Sequence, residues 1–238
     1  MNRKKSLTNS VFRHNRCSAV NENSQEHAMN EVKLNIGAGY NYIDGFVNID
    51  ISPKADVTLD LGRDRLPFDD ESVDLVFSYH CLEHVGDFLF ALGEIYRVLR
   101  HGGRFLVGLP YVSSTRYHLV NPYHHHNFNE YSFKFFDPDE LKGSAAEDNP
   151  IVFKKVFHRY YYMHGFRRMP CFLRNWCRRH LFNVVRTIDF GLLAVRDPNK
   201  PLMVDCTVRR AMEQELAECL AARVTYEEQE RLASSRAE

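Results

Sequence analysis

The chain has no long apolar run. No stretch approaches the ~18 residues that a membrane-spanning helix needs, and the first residues, Met1-Asn2-Arg3-Lys4-Lys5, lead into Ser, Asn and Arg instead of an apolar signal core. The expectation is a cytoplasmic protein. There is no C-x-x-C pair among the six cysteines (Cys17, Cys81, Cys171, Cys177, Cys206, Cys219), which argues against a zinc ribbon or a dithiol redox motif and leaves them to read as free thiols. There is no excess of either charge. A formal net charge of +0 gives no general attraction for polyanions, and with no RNA-binding motif it argues against a nucleic-acid partner. There is no internal repeat. The 238 residues, 44% hydrophobic and 26% charged, suffice for one substantial core and one main domain.

What is present begins at residue 32. Val32, Leu34 and Ile36 alternate as a buried strand that breaks at once into Gly37-Ala38-Gly39. Glycine there lets backbone approach a ligand that a Cβ would block. A second apolar run, Val47-Asn48-Ile49, ends in Asp50, an acid able to accept hydrogen bonds from the two hydroxyls of a ribose. A dinucleotide fingerprint requires G-x-G-x-x-G and an acid ~20 residues further on. Here the third glycine is missing and Asp50 follows Gly39 by eleven residues, so NAD is disfavoured and a nucleoside pocket of another kind is indicated.

Five motifs follow in order: Gly37 to Asp60, Leu66-Pro67-Phe68, Val73-Asp74-Leu75-Val76-Phe77-Ser78, Leu82-Glu83-His84-Val85, and Leu99-Arg100-His101-Gly102-Gly103-Arg104-Phe105. Over roughly residues 32–137 the chain resembles the class I S-adenosylmethionine-dependent methyltransferases, of the type 11 kind, and is similar to a small bacterial branch found with surface-polysaccharide synthesis. The resemblance implies a Rossmann-like α/β three-layer sandwich, its mostly parallel sheet closed by an antiparallel edge hairpin, and S-adenosylmethionine (AdoMet) as cofactor. It assigns Gly37 and Gly39 to the methionine and ribose side, Asp50 to the ribose hydroxyls, Asp60 and Leu61 to the adenine, and Ser78 to His80 to the sulfonium. The chain departs from relatives at Asn41, where many have a third glycine, and Asn41 to Gly45 leave room for hardly one turn of the usual first helix.

The rest of the chain divides by composition. Residues 1–30 are polar and read as a flexible tail, and 31–209 as the domain. Strands are expected near 32–36, 46–50, 56–60, 73–79 and 103–109, with a helix from Asp87 to Leu99 stopped by His101-Gly102-Gly103. A short helix near 129–136 and strands at 151–157 and 201–208, the last two forming the edge hairpin, are expected next. Residues 210–238 read as an acidic helix or tail with Met212, Leu216 and Leu220 on one side.

Methyl transfer to a hydroxyl calls for a positioned nucleophile and a base. Two clusters are candidates. His80-Cys81-Leu82-Glu83-His84 lies where the fourth major strand ends, and His118 through Asn121-Pro122-Tyr123-His124-His125-His126 lies in the loop after the fifth. Both are at carboxyl ends of strands, where open α/β sheets bind ligands. His84, His124 and His126 are the chosen catalytic candidates, with His124 and His126 preferred over His125 because alternate residues of an extended loop share a side. Tyr111 and Asn121 are either substrate-orienting or simply packed. His80-x-x-Glu83-His84 is similar to the Glu-x-x-Glu-His metal cradle of ubiquinone-biosynthesis O-methyltransferases and small-RNA 2′-O-methyltransferases. The histidine in first place shifts the preference from magnesium toward zinc, manganese or iron. The structural reading, Glu83 capping a turn or bonding a backbone amide, is the preferred one, and the metal stays uncertain.

Between Pro150 and Ile188 there is no Asp or Glu, while nine Lys or Arg alternate with nine aromatic residues. A helix starting at Pro170 places Phe172, Leu173, Trp176, Cys177, Leu181, Val184 and Val185 on one side and Arg174, Arg178, Arg179 and Arg186 on the other. Three readings stand: an ordinary amphipathic helix covering the sheet, a peripheral contact with an anionic membrane, or a basic wall for a phosphate-bearing substrate. The leading functional expectation is O-methylation of a small-molecule carbohydrate or lipid-linked glycan intermediate at the inner membrane face. The rivals are metal-assisted methylation of a quinol precursor or RNA 2′-hydroxyl, and a non-catalytic docking module of methyltransferase-like fold.

Overall fold

The computed structural model describes residues 31–140, 150–225 and 228. The expected tail 1–30 and most of the residues beyond 225 lie outside them. Seven strands form one sheet: β1 (Lys33–Ile36), β3 (Val47–Asp50), β4 (Val57–Thr58), β5 (Val73–Tyr79), β6 (Leu99–Pro110), β7 (Phe153–Tyr162) and β8 (Val185–Ala194). Their order is β4-β3-β1-β5-β6-β8-β7, with only β8 running against its neighbours. This mostly parallel Rossmann-like sheet with an antiparallel edge hairpin is the expected methyltransferase fold. Side-chain alternation sends Val76, Phe105 and Val107 to one face and Leu75, Phe77 and Leu106 to the other. Helix α1 (Phe88–Val98) covers the first face with Ala91, Leu92, Ile95 and Val98. Helix α3 (Cys206–Ala222) covers the second with Met212, Leu216 and Cys219.

α1 starts where Asp87 accepts the Phe90 amide hydrogen (2.9 Å), and it ends at Val98 because Leu99 is already extended. His101-Gly102-Gly103 is therefore not a helix cap. It lies within β6, in an irregularity between the pairs Val73–Leu99 and Leu75–Arg104, and Gly102 supplies the positive φ (+74°) of that bulge. The connection from β1 to β3 contains no helix. A two-residue strand, β2 (Asn41–Tyr42), pairs instead with β9 (Val224–Thr225). Buried Asn48 organises this loop: its Oδ1 accepts from Ile43 N and Asn35 Nδ2, and its Nδ2 donates to Ile43 O, Phe46 O and Asp56 Oδ2.

Four further expectations are corrected. The second strand of the edge hairpin is 185–194, not 201–208. Asp205 accepts the amide hydrogens of Thr207 and Val208, so α3 begins at Cys206 and the 210 boundary falls inside a helix that belongs to the sandwich. The helix near 129–136 is a single 3₁₀ turn, Lys134–Phe136. The Pro170 helix, α2, covers only Cys171–His180, and Val184 and Val185 are core residues, Val185 opening β8.

Candidate active site

β1, β3 and β5 all end at one edge of the sheet, and their exits wall a cavity of about 660 Å³. Gly37 and Gly39 follow β1 with φ of +70° and +57°, a region costly for any residue with a Cβ. A Cβ on Gly37 would lie 2.2 Å from Cys81 Cβ, whereas one on Gly39 would meet nothing within 4 Å. The first glycine is thus required by packing against Cys81, and the second leaves its side of the cavity bare. Asp50, at the end of β3, accepts from Gly39 N through Oδ2 and from Ser52 N through Oδ1, both at 2.9 Å. These two bonds fix the carboxylate on the cavity wall, with lone pairs left to accept from ligand hydroxyls. Asp60, Leu61 and Gly62 continue the wall, Asp60 Oδ1 holding Gly62 N at 2.9 Å. The donor set suits a ribose-bearing nucleoside: a carboxylate for two hydroxyls, exposed glycine backbone, and apolar Ile49, Ile51 and Leu59 beside it.

β5 contributes the reacting side. Ser78 is wholly buried and does not reach the wall, but His80 and Cys81 do. His80 sits in the left-handed region (φ +56°), held by its amide donating to Gly108 O at 2.9 Å. Its Nδ1 donates to Glu83 Oε1 at 3.1 Å. Burial, then Glu83 and Asp50, push the Cys81 thiol up to about 12, so it stays protonated and is no nucleophile.

The two histidine clusters meet at this rim. Glu83 is fully buried, and its carbonyl accepts the amides of His125 (2.7 Å) and His126 (3.4 Å), stitching the 118–126 loop to the β5 exit. His84 lines the cavity and its Nδ1 donates to Tyr123 O (3.2 Å), which leaves Nε2 without a hydrogen bond, 4.0 Å from Glu83 Oε1. His118 Nε2 donates to Asn127 Oδ1 (2.7 Å), so His118 Nδ1 must accept. It receives the Nδ1 hydrogen of His124 at 3.0 Å, and His124 Nε2 is bare in turn. Burial lowers the His124 pKa, which keeps the ring neutral. The His84 and His124 rings meet edge to face at 4.6 Å. One ligand atom from each of Glu83, His84 and His124 lies within 4.8 Å of the others, and Glu83 Oε2 is buried with no partner. His80 is not in that group.

The alternation argument for His124 and His126 meets a turn instead of an extended loop. His126 Nε2 donates to Val85 O (2.7 Å) and its ring packs on Phe88 and Phe128, away from the cavity, while His125 is on the wall. Arg63 and Gly86 also line the cavity and carry no local signal, while His118, the first residue of the second cluster, acts through His124. Their relevance depends on contacts across the rim that spacing does not encode. Tyr111 is buried, donating to Glu130 (2.7 Å), and Asn121 Oδ1 accepts from Tyr123 N (3.0 Å); both serve packing and loop shape.

α2 is turned opposite to an ordinary covering helix. Arg178 faces inward, paired with Glu130 and stacked over Tyr160, and Arg174 stacks over Tyr162 at 4.5 Å. Only Cys177 of the helix is buried, while Phe172 (77%), Trp176 (53%) and the following Phe182 (65%) are exposed.

Residues 46–107 match the family model of the methyltransferase domain. A Mycolicibacterium smegmatis protein named as an S-adenosylmethionine-dependent methyltransferase is 40% identical over 92 residues, 37% of this chain and 35% of that protein. A Bacillus subtilis protein, YrhH, named as a methyltransferase, is 46% identical over 44 residues, 18% of this chain and 24% of its own length. The chain therefore spans about a third or less of these relatives. Among solved structures, a SAM-dependent methyltransferase from Archaeoglobus fulgidus aligns at a TM-score of 0.48 with 14% identity, covering 74% of this chain and 92% of that one. YcgJ from Bacillus subtilis aligns at 0.46 with 16% identity, covering 70% and 93%. No described helix is long and apolar enough to cross a membrane. The matched segment contains β3, β5, the Glu83-His84 rim and α1, so this part of the sheet is what the chain has in common with the methyltransferase domain family.

Proposed function

We propose that the protein is an AdoMet-dependent methyltransferase acting on a hydroxyl of a carbohydrate or lipid-linked glycan intermediate. The observation that carries the methyltransferase reading is the Gly37-Ala38-Gly39 turn bonded to Asp50 on the wall of a 660 Å³ cavity. AdoMet supplies an electrophilic methyl group when bound. Asp50 holds the ribose, Asp60 and Leu61 border the base, and the His80-Cys81 exit forms the reacting end. An acceptor hydroxyl entering beside His84 meets a bare Nε2 that can take its proton, and His124 offers a second. The exposed aromatic side of α2 with flanking Arg167, Arg168 and Arg179 supports peripheral contact with an anionic membrane, and thus a lipid-linked acceptor on the cytoplasmic side. Calorimetric titration with AdoMet and S-adenosylhomocysteine tests the cofactor, with NAD as control. Micromolar binding lost in Asp50→Ala is expected. No binding to the wild-type chain would favour the docking-module reading and sink the enzymatic one.

One observation favours metal assistance as a second reading: the unpartnered buried oxygen of Glu83 beside two bare imidazole nitrogens. A carboxylate with two histidines suits zinc, manganese or iron, and the residues that would hold the ion are Glu83, His84 and His124. Such an ion would lower the pKa of an acceptor hydroxyl, as needed for a quinol precursor or an RNA 2′-hydroxyl. Titration of chelator-treated protein with Zn²⁺ and Mn²⁺, read by calorimetry, tests it. Binding at one site, lost in Glu83→Gln and His124→Ala but kept in His80→Ala, supports this reading, and stoichiometry unchanged in all three overturns it.

A further inference from the structure

A second cavity, about 530 Å³, opens over the ends of β7 and β8, its wall including Tyr117, Tyr162, His164, Arg167, Arg174 and Arg186. Its charge has one sign. Among the described residues, two arginines near the edge hairpin have carboxylate partners, Arg178 with Glu130 and Arg159 with Glu213. Arg167, Arg174 and Arg186 form no salt bridge. The Arg174 Nε is buried without any hydrogen-bond partner, although a guanidinium is expensive to bury unsatisfied. The sequence offers no local acid, since none occurs from Pro150 to Ile188. Buried Asp189 is close enough to feel the field of Arg186 but forms no salt bridge with it among the described residues.

The guanidinium groups are also held in place. Arg174 lies over the Tyr162 ring at 4.5 Å and its Nη1 donates to Arg167 O at 3.5 Å, while Arg186 lies 5.7 Å over Tyr117. Stacked guanidinium planes keep their N–H forks free to face a ligand and lose little freedom on binding. Several forks converging without a carboxylate match an anion of high charge and many acceptor oxygens, for which arginine is the preferred partner.

The location gives the cavity a purpose. Pro110 pairs with Thr187, and Tyr79 with Gly108, so the start of β8 and the exit of β5 share the sheet edge that carries the cofactor cavity. From β5 through β6 and β8 to β7 is two to three strand spacings, roughly 10–14 Å. We infer that this cavity is a phosphate or diphosphate subsite that anchors the acceptor while a hydroxyl some 10–14 Å away reaches the methyl-transfer rim. The anion site stands by itself; its role as acceptor anchor rests on the methyltransferase reading above. A diphosphate-linked sugar, carried either by a lipid or by a nucleoside, has the required chemistry.

The test is a calorimetric titration of the full chain with inorganic pyrophosphate, beside AdoMet on the same samples. Arg174→Ala and Arg186→Gln are each expected to weaken pyrophosphate binding by about tenfold or more while AdoMet affinity and melting temperature hold. Exposed Arg210→Ala, on α3, should leave both ligands unchanged. Arg174→Lys keeps charge but not the stacked fork, and is expected to fall between. Geranyl diphosphate and uridine diphosphate as competitors then assign the carrier, the tighter of the two naming it. No pyrophosphate binding up to roughly 5 mM, or an equal loss in Arg210→Ala, overturns the site. Pyrophosphate bound without AdoMet would overturn the methyltransferase reading and leave the anion site standing.

Discussion

The two ends of the sheet are held by different physics. Around β1, β3 and β5 the site is made of backbone: positive-φ glycines, an acid bonded to an amide eleven residues away, and a left-handed His80. Around β7, β8 and α2 it is made of long side chains that cross large sequence distances, as Arg178 does to Glu130, 48 residues away. The first arrangement tolerates no added volume at Gly37 and depends on backbone angles at Gly37, Gly39 and His80 that other residues rarely adopt. The second tolerates repacking but no loss of charge balance, because it buries ions whose partners are elsewhere in the chain.

Breaking the backbone end should have the largest effect. Gly37→Ala puts a Cβ 2.2 Å from Cys81 Cβ at φ +70°, and overpacking plus left-handed strain should lower stability by about 5 kcal/mol and abolish AdoMet binding. Urea unfolding and cofactor calorimetry on the variant check this. At the side-chain end, Glu130→Ala strands Arg178 in the interior and removes the Tyr111 hydrogen bond, for an expected loss of about 3–5 kcal/mol. AdoMet affinity should survive under conditions where the variant is folded, and a parallel loss of cofactor binding would show that the two ends are not separable.

Asp189 sharpens the contrast with pH. Burial pushes its carboxyl up to about 6. A carboxyl raised in the folded state stabilises most below its unfolded value, about 3.8, and that stability is lost as pH rises through about 6. Asp189→Asn removes the titration, so it should be more stable than wild type by about 2 kcal/mol at pH 8, with the difference shrinking toward zero near pH 4. Denaturant melts of both proteins from pH 4 to 8 read it directly. The smallest effect on folding belongs to the outer side of α2: Phe172→Ser with Trp176→Ser should change stability by no more than about 0.5 kcal/mol, since both rings are exposed. Sedimentation with vesicles rich in phosphatidylserine should show loss of binding in this variant, and unchanged binding would remove the membrane contact.

Legibility in the sequence followed the same division. β5 was readable to the residue, and α1 within a residue at each end, because apolar periodicity and the Asp87 cap are local signals. Asp205 is an equally local cap signal for α3, and it overrides the apolar alternation at 201–208 that suggests a strand. β8 was not readable as a start at 185, because what ends α2 and turns the chain is Asn183 at φ +60°, tied to Ser113 and Thr115 across the fold. The orientation of α2 was left open for a related reason: helical spacing separates an apolar from a basic side but does not say which one the protein covers.

By itself the sequence determined the strand that breaks into Gly37-Ala38-Gly39, the acid at position 50, the absence of acids across 150–188 and the presence of two histidine clusters, since each depends on residue type and short spacing. Only the tertiary structure decided that the 118–126 loop folds onto Glu83, that hydrogen bonds to Tyr123, His118 and Asn127 leave His84 and His124 each with a bare nitrogen, and that His126 turns away. It also decided that three arginines of the edge hairpin and α2 stay without carboxylates. Lone pairs and unpaired charges are properties of neighbours, and the neighbours here lie tens of residues apart along the chain.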